Sequence, residues 1–251
     1  MQPLNVSRHT LLHFDELPST NTYIKEHLNE LSDRTAVIAD LQTAGRGRRG
    51  NSWAADRGML ALSVLYKGLD DPIFMTVISA VAVCRAFEEV SKLSFGIKWT
   101  NDIICDERKV CGILCESAIK CSQNKNQPFV ICGMGLNVNQ TAEFFEQADL
   151  YHAASLYSLS GEKNDKLALA EYVLKYLDEL LDTDKETVLE EYRRRCVTLG
   201  REVTLIRSGE TIKAFAKSIN INGALICENE NGEFTVNAGE VRVRAANGEY
   251  I

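Results

Sequence analysis

The chain changes character near Cys196, and that change limits what it can fold into. Before it, helix-like and strand-like stretches are mixed. After it, residues 201–251 are short apolar runs parted by Ser208-Gly209, Asn222-Gly223, Asn231-Gly232 and Asn247-Gly248. Asn-Gly supplies the positive φ that a tight hairpin needs. A stretch of about fifty residues so punctuated predicts a small β-barrel of the SH3 kind. The boundary falls at 196–200, which divides the chain into 1–197 and 198–251. In the first part, apolar spacing predicts helices over 21–31, 73–93, 166–181 and 185–195. Ser19, Thr20 and Asn21 are candidate caps for the first, and Pro72 opens the second. Strands are expected at 36–39, 59–66, 96–99, 103–105, 110–117 and 129–137, making this part α/β.

The chain has 251 residues, 45% of them hydrophobic and 25% charged, so it can bury a sizeable core. No apolar run approaches a membrane span, and residues 1–10 lack a basic-then-apolar signal pattern, so a cytoplasmic protein is expected. Thiols stay reduced there. The eight cysteines (84, 105, 111, 115, 121, 132, 196 and 227) include no C-x-x-C pair, and most read as small buried side chains rather than metal ligands. A net charge of −7 argues against general nucleic-acid binding, and no helix-turn-helix precedes the first part.

Against that acidic background, Gln42-Thr43-Ala44-Gly45-Arg46-Gly47-Arg48-Arg49-Gly50-Asn51-Ser52-Trp53 crowds three arginines among three glycines. Like charges repel, and folding alone does not call for them in a turn. Glycines bring backbone N–H groups up to an anion, and arginines add forked donors for carboxylate or phosphate. The run contains a literal G-x-G-x-x-G, but 51–58 shows no helical period after it, so a dinucleotide fingerprint is not read here. With glycines and repelling arginines, the loop is expected to be ordered by an anionic ligand.

Four further segments accompany it. Asp15-Glu16-Leu17-Pro18-Ser19-Thr20-Asn21 caps a helix, and its hydroxyls suit a small polar headgroup equally well. Lys98-Trp99-Thr100-Asn101-Asp102 ends a strand, where α/β sheets expose their sites, and it also fits a plain turn. Arg108-Lys109-Val110-Cys111-Gly112 opens another strand; a hairpin-edge lysine explains it on local sequence. Gly133-Met134-Gly135-Leu136-Asn137 puts two glycines inside an apolar strand, which calls for a close ligand or backbone. No nucleophile–histidine pair is legible, so positioning and charge stabilisation are expected to carry any chemistry.

In this order, the five segments resemble the motif set of the biotin protein ligases. Ala153-Ala154-Ser155-Leu156 and Gly239-Glu240-Val241-Arg242-Val243-Arg244 resemble later family segments. The resemblance implies a catalytic α/β domain of the biotin/lipoate ligase type, with a central mixed sheet, followed by an SH3-like β-barrel. It implies that biotin and ATP give biotinyl-AMP and pyrophosphate, with Mg2+ held mainly by the nucleotide and no protein metal site. Biotin then passes to a lysine of a biotin carboxyl carrier domain. Ser19, Thr20, Asn21 and Gln42 would bind the biotin head, and Gly45 and Gly112 would line its slot. Arg46, Arg48 and Arg49 would neutralise phosphate; Trp53 would stack on adenine, with Asn101 and Asn137 at the nucleotide. Lys109 is the leading catalytic candidate, with Arg48, Lys98 and Asp102 beside it.

Thr100 replaces the family's usual proline, and Asn51 stands where a basic residue is common. No DNA-binding domain is expected before residue 19, so no repressor role and no DNA partner are read. Pairing of two copies through an edge strand is allowed. The alternatives are a lipoate or octanoate ligase or transferase, and a non-catalytic biotin or nucleotide sensor.

Overall fold

The computed structural model describes residues 4–121, 126–207, 210–238, 242–245 and 250. Its first part is built on β1 (Leu4–Val6), β2 (His9–Leu17), β3 (Thr35–Gln42), β4 (Met59–Lys67), β5 (Gly96–Lys98), β6 (Asp102–Cys105), β7 (Arg108–Cys121) and β8 (Asn126–Asn137). They form one mixed sheet in the order β1-β2-β3-β4-β8-β7-β6-β5. Only β2 and β3 pair in parallel. Both edge strands have three residues, which leaves little backbone to pair with another chain.

One face of the sheet carries α2 (Pro72–Val90), α5 (Lys166–Leu181) and α6 (Lys185–Arg195). Helix α2 lies deep in the core, with Val77, Ile78 and Val81 fully buried. Asp71 caps it, accepting from the Phe74 amide, and Pro72 starts it without sacrificing a hydrogen bond. Against it pack the even-numbered side chains of β8, Cys132, Met134 and Leu136, and those of β4, Leu60, Leu62 and Val64. Six cysteines, 84, 105, 111, 132, 196 and 227, are buried, as expected for small apolar side chains. The opposite face carries α1 (Thr20–Glu26), whose Ile24 packs on Val37, Leu65, Phe129 and Ile131. Since side chains alternate along a strand, Gly133 and Gly135 fall on this second face.

The expected helices and strands are all found, with ends moved by a few residues. Strand β2 escaped the sequence reading because His13, Asp15 and Glu16 break its apolar pattern. Helices α3 (Ala142–Gln147) and α4 (Leu156–Ser160) are too short to show a period and rest on the caps Thr141 and Ser155.

After α6 the chain forms a second, antiparallel sheet: β9 (Arg201–Arg207), β10 (Glu210–Ile219), β11 (Leu225–Asn229), β12 (Gly232–Val236) and β13 (Arg242–Ala245). Its order is β12-β11-β10-β9-β13. It is SH3-like, but its edge strands do not pair with each other among the described residues, so the barrel is not closed. Gly223 (φ +75°) and Gly232 (φ +106°) occupy two of the expected Asn-Gly turns. The turns at Ser208-Gly209 and Asn247-Gly248 lie outside the described residues. The two sheets are joined at β5: the Val197 amide donates to the Ile97 carbonyl (2.9 Å) and the Trp99 indole to the Gly223 carbonyl (3.0 Å).

Candidate active site

On the α1 face, register brings Asp102, Gly112, Gly135, Ala61 and Ala39 into one row across β6, β7, β8, β4 and β3. Beyond the aspartate, no side chain in that row exceeds a methyl group, so the row is a trough. The Trp53 indole lies in it. A Cβ on Gly112 would come within 2.7 Å of the indole, and one on Gly135 within 2.6 Å. Gly45 is tucked beneath the same residue, 3.0 Å from the Trp53 carbonyl by the same measure. The family resemblance implies that Trp53 stacks on adenine; here its indole lies on the glycine floor. Its Nε1 is buried with no hydrogen-bond partner.

A cavity of about 270 Å³ runs over this floor. One end is neutral and polar. Ser19 caps α1, which directs Thr20 and Asn21 inward at its first turn. Thr20 donates its amide to Gln42 Oε1 (2.8 Å), and its hydroxyl lies 2.6 Å from that of Ser63. Ser63 donates to Asn21 Oδ1 (2.6 Å). Ser63, on the cavity wall, and Glu116, which accepts from Asn21 behind it, carry no local sequence signal: each occupies an ordinary position on the α1 face of a strand, and only register reveals it.

The other end is charged. Lys109 and Asp102 form an ion pair of 2.6 Å. A bulge aims the lysine. Ile103 pairs with Cys111 and Ile104 with Lys109, so Val110 is an extra residue in β7. Val110 and Cys111 are therefore both in the core, while Lys109 and Gly112 both line the cavity. Burial alone would raise the Asp102 carboxyl. Lys109, the Tyr250 hydroxyl (2.6 Å) and Lys98 instead hold it below the usual carboxylate range. Lys98 is only 4% exposed, and its ammonium lies 3.4 Å from the Tyr250 ring centroid. Burial, aided by Arg244 and Lys109 and opposed by Asp102, brings its pKa down to about 7. Tyr250 and Arg244 come from the C-terminal part and also line the cavity. Tyr250 was unforeseen, since nothing local marks it.

The arginine loop is organised by its own contacts. A short 3-10 turn spans Arg48–Gly50, and Gly47 donates to the Asn51 carbonyl (2.7 Å). Arg48 donates to Asn101 Oδ1 (2.7 Å) and Thr100 Oγ1 (3.3 Å), fastening the loop over the charged end. Asn101 passes that hold on to the Ile113 carbonyl (2.9 Å). The peptide between Trp99 and Thr100 is cis. Arg46 leans the other way, to Thr22 Oγ1 (3.1 Å). The Arg49 side chain lies outside the described residues. Asn137 is 3% exposed behind Lys109, donating to the Ala154 (3.0 Å) and Lys109 (3.4 Å) carbonyls. It is not part of the cavity wall, so here it supports the lysine backbone. The structure thus unites Ser19, Thr20, Asn21, Gln42, Arg46 and Arg48 with Trp53, Lys98, Asn101, Asp102, Lys109 and Gly112 around one cavity.

The sequence model of the Biotin/lipoate A/B protein ligase family matches residues 13–137, within the mixed-sheet part that holds this slot. That of the Biotin protein ligase C terminal domain matches 198–244. A biotin--[acetyl-CoA-carboxylase] ligase of Mycobacterium tuberculosis is 31% identical over 221 residues, covering 83% of this chain and 79% of that protein. The Bifunctional ligase/repressor BirA of Bacillus subtilis is 32% identical over 234 residues, covering 88% and 70%. A biotin protein ligase from Aquifex aeolicus, solved with biotin and ATP, superposes with a TM-score of 0.81 at 29% identity, covering 95% of this chain and all of that one. The chain belongs to the biotin protein ligase family.

Proposed function

We propose that this chain is an ATP-dependent biotin–protein ligase. Biotin's carboxylate attacks the α-phosphorus of ATP, the bond to pyrophosphate breaks, and biotinyl-AMP forms. A lysine amine of an acceptor, a biotin carboxyl carrier domain, then attacks the acyl carbon, AMP leaves, and an amide remains. The observation that carries this reading is the division of one slot into a neutral hydroxyl-and-amide end and a charged end that holds Lys98, Lys109 and Asp102. Lys109 offsets the repulsion between carboxylate and phosphate and stabilises charge building in the transition state. Asp102 orients Lys109 and would orient the acceptor amine in the second step. Lys98 and Arg244 face the triphosphate.

Magnesium arrives with the nucleotide as part of the substrate. Asp102, the carboxylate at this end, is already engaged by Lys109 and Tyr250, and no cluster of three metal-ligating side chains occurs among the described residues. Division near residue 197 suits the two matched stretches, 13–137 and 198–244. A cytoplasmic site of action suits the seven cysteines whose side chains are described, all of them free thiols. Among the described residues, no helix is long and apolar enough to cross a membrane.

The direct test is exchange of labelled pyrophosphate into ATP with biotin, lipoate or octanoate. Exchange with biotin alone is expected. Exchange with lipoate or octanoate instead would move the chain to the lipoate side of the family. No exchange by a folded sample that binds biotin would make it a sensor.

Two expectations follow from the charged end. In Arg48→Gly the loop loses its hydrogen bonds to Thr100 and Asn101, worth about tenfold in the closed population. Adenylate then escapes before transfer, so bystander proteins should be biotinylated about tenfold more, as read on a streptavidin blot. Retention equal to the parent would remove this role. Lys98 is charged below pH 7 and neutral above it. The KM for ATP should therefore climb between pH 7.5 and 9, by at most about tenfold per unit for one titrating group. Lys98→Gln should be flat over that range.

A further inference from the structure

We infer that Glu116, which does not line the cavity, is a positioning residue that sets the hydrogen-bond polarity of the slot's neutral end, and with it the preference for a cyclic urea. The inference rests on the ligase reading, because it concerns how that end recognises biotin's ring. Glu116 lies on β7, two residues beyond Leu114, on the face that carries Gly112. Its Oε2 accepts from Asn21 Nδ2 (2.8 Å) and its Oε1 from Lys25 Nζ (2.6 Å), with Arg46 3.8 Å away.

A carboxylate accepts and does not donate. Asn21 must therefore turn its NH2 to Glu116, where the Leu114 carbonyl also accepts at 3.3 Å, and its Oδ1 toward Ser63. Ser63 has one hydroxyl proton and gives it to Asn21 Oδ1 (2.6 Å). The Thr20 hydroxyl then has two acceptors in reach, Ser63 Oγ at 2.6 Å and Gln42 Oε1 at 3.2 Å, and with either one it keeps its lone pairs for the slot. Gln42 Oε1 is committed to the Thr20 amide, which leaves the Gln42 Nε2 group as the one with protons to give. Every proton in the chain Glu116–Asn21–Ser63–Thr20 is thus given to a protein acceptor. The slot is thereby fixed as lone pairs on the Thr20 side and an N–H on the Gln42 side. That array matches a ring with N–H donors and a C=O acceptor.

The polarity is held under ordinary conditions because Glu116 stays ionised: burial would raise its carboxyl, but Lys25, Asn21 and Arg46 hold it below the usual range. In Glu116→Gln one oxygen must serve both Lys25 and Asn21, and Asn21 gains freedom to turn over.

The test measures equilibrium binding of biotin and of 2-iminobiotin, whose ring C=O is replaced by C=NH, to the full chain. Glu116→Gln should weaken biotin about three- to tenfold, the worth of one net hydrogen bond. It should weaken 2-iminobiotin less, narrowing the ratio between the two. Ser63→Ala, which cuts the chain in its middle, should narrow the ratio too and stands in if the first variant does not fold. Measured at alkaline pH, where Glu116 is ionised without the help of Lys25, Lys25→Met removes the ion pair but keeps the bond to Asn21 and should leave the ratio unchanged. Equal weakening of both ligands in Glu116→Gln and Ser63→Ala, or narrowing in Lys25→Met, would overturn the inference. A folded parent protein that binds neither ligand would instead overturn the ligase reading beneath it.

Discussion

Replacing Lys109 by alanine should slow formation of biotinyl-AMP by about 10²–10³-fold, the usual loss when one preorganised charge leaves a developing transition state. The lysine's ammonium lies 2.6 Å from Asp102 Oδ1 and 5.2 Å from the Trp53 ring centroid, so its position is fixed before substrates arrive. Its backbone is fixed as well: its amide donates to the His152 carbonyl (2.7 Å) and its carbonyl accepts from Ala154 (2.9 Å). The loss should therefore fall on kcat in single-turnover adenylation. Biotin binding in the absence of nucleotide should change little, because the neutral end stays intact. Lys109→Arg should recover part of the rate, since it restores charge but not the point geometry of an ammonium. An alanine variant that forms adenylate at the parental rate would show that Lys109 is only Asp102's ion-pair partner.

Gly133→Ala should abolish productive biotin binding while leaving nucleotide binding nearly unchanged. A methyl group at this position would stand 2.8 Å from Asn21 Cγ and 2.9 Å from Asn21 Nδ2. Neither side can yield easily. Gly133 is held between β4 and β7, opposite Ser63 and Leu114, and the Asn21 amide is anchored by Glu116, Leu114 and Ser63. Asn21 must leave, taking the orientation of Ser63 and Thr20 with it. Biotin affinity should fall at least about tenfold for each hydrogen bond lost to an unpaired buried group. Overpacking should lower stability by about 1–3 kcal/mol. Titration calorimetry with biotin, beside a thermal melt, separates the two effects. Parental biotin affinity in a folded Gly133→Ala would mean that Asn21 does not shape the site.

Much of this was legible along the chain, and the exceptions share a cause. Helix α2 could be placed from Pro72 and its unbroken apolar run, and the second sheet from its Asn-Gly turns. The two alternating glycines of β8 announced a close neighbour, but not that one would meet Asn21 and the other Trp53. Lys109 read locally as a hairpin-edge residue because the bulge at Val110 is a property of the pair β6–β7, not of either strand alone. Glu116, Ser63 and Tyr250 were invisible for the same reason: each acts through a partner 42 to 148 residues away. Asn137 kept its place near Lys109 but turned its amide to backbone carbonyls, which no spacing could reveal.

The position of Trp53 gives the molecule an optical reporter of its own. The chain has two tryptophans. Trp99 also borders the cavity, but it is 5% exposed with its indole N–H bonded to the Gly223 carbonyl, and a Trp99→Phe variant isolates the emission of Trp53. Trp53 lies in the cavity with an unpartnered Nε1, beside a lysine ammonium whose field reaches the excited-state dipole. A ligand entering the slot changes the polarity and the charge around that one chromophore. Occupancy of the neutral end and of the charged end can therefore be followed as successive shifts in ultraviolet emission, in stopped flow and without any label.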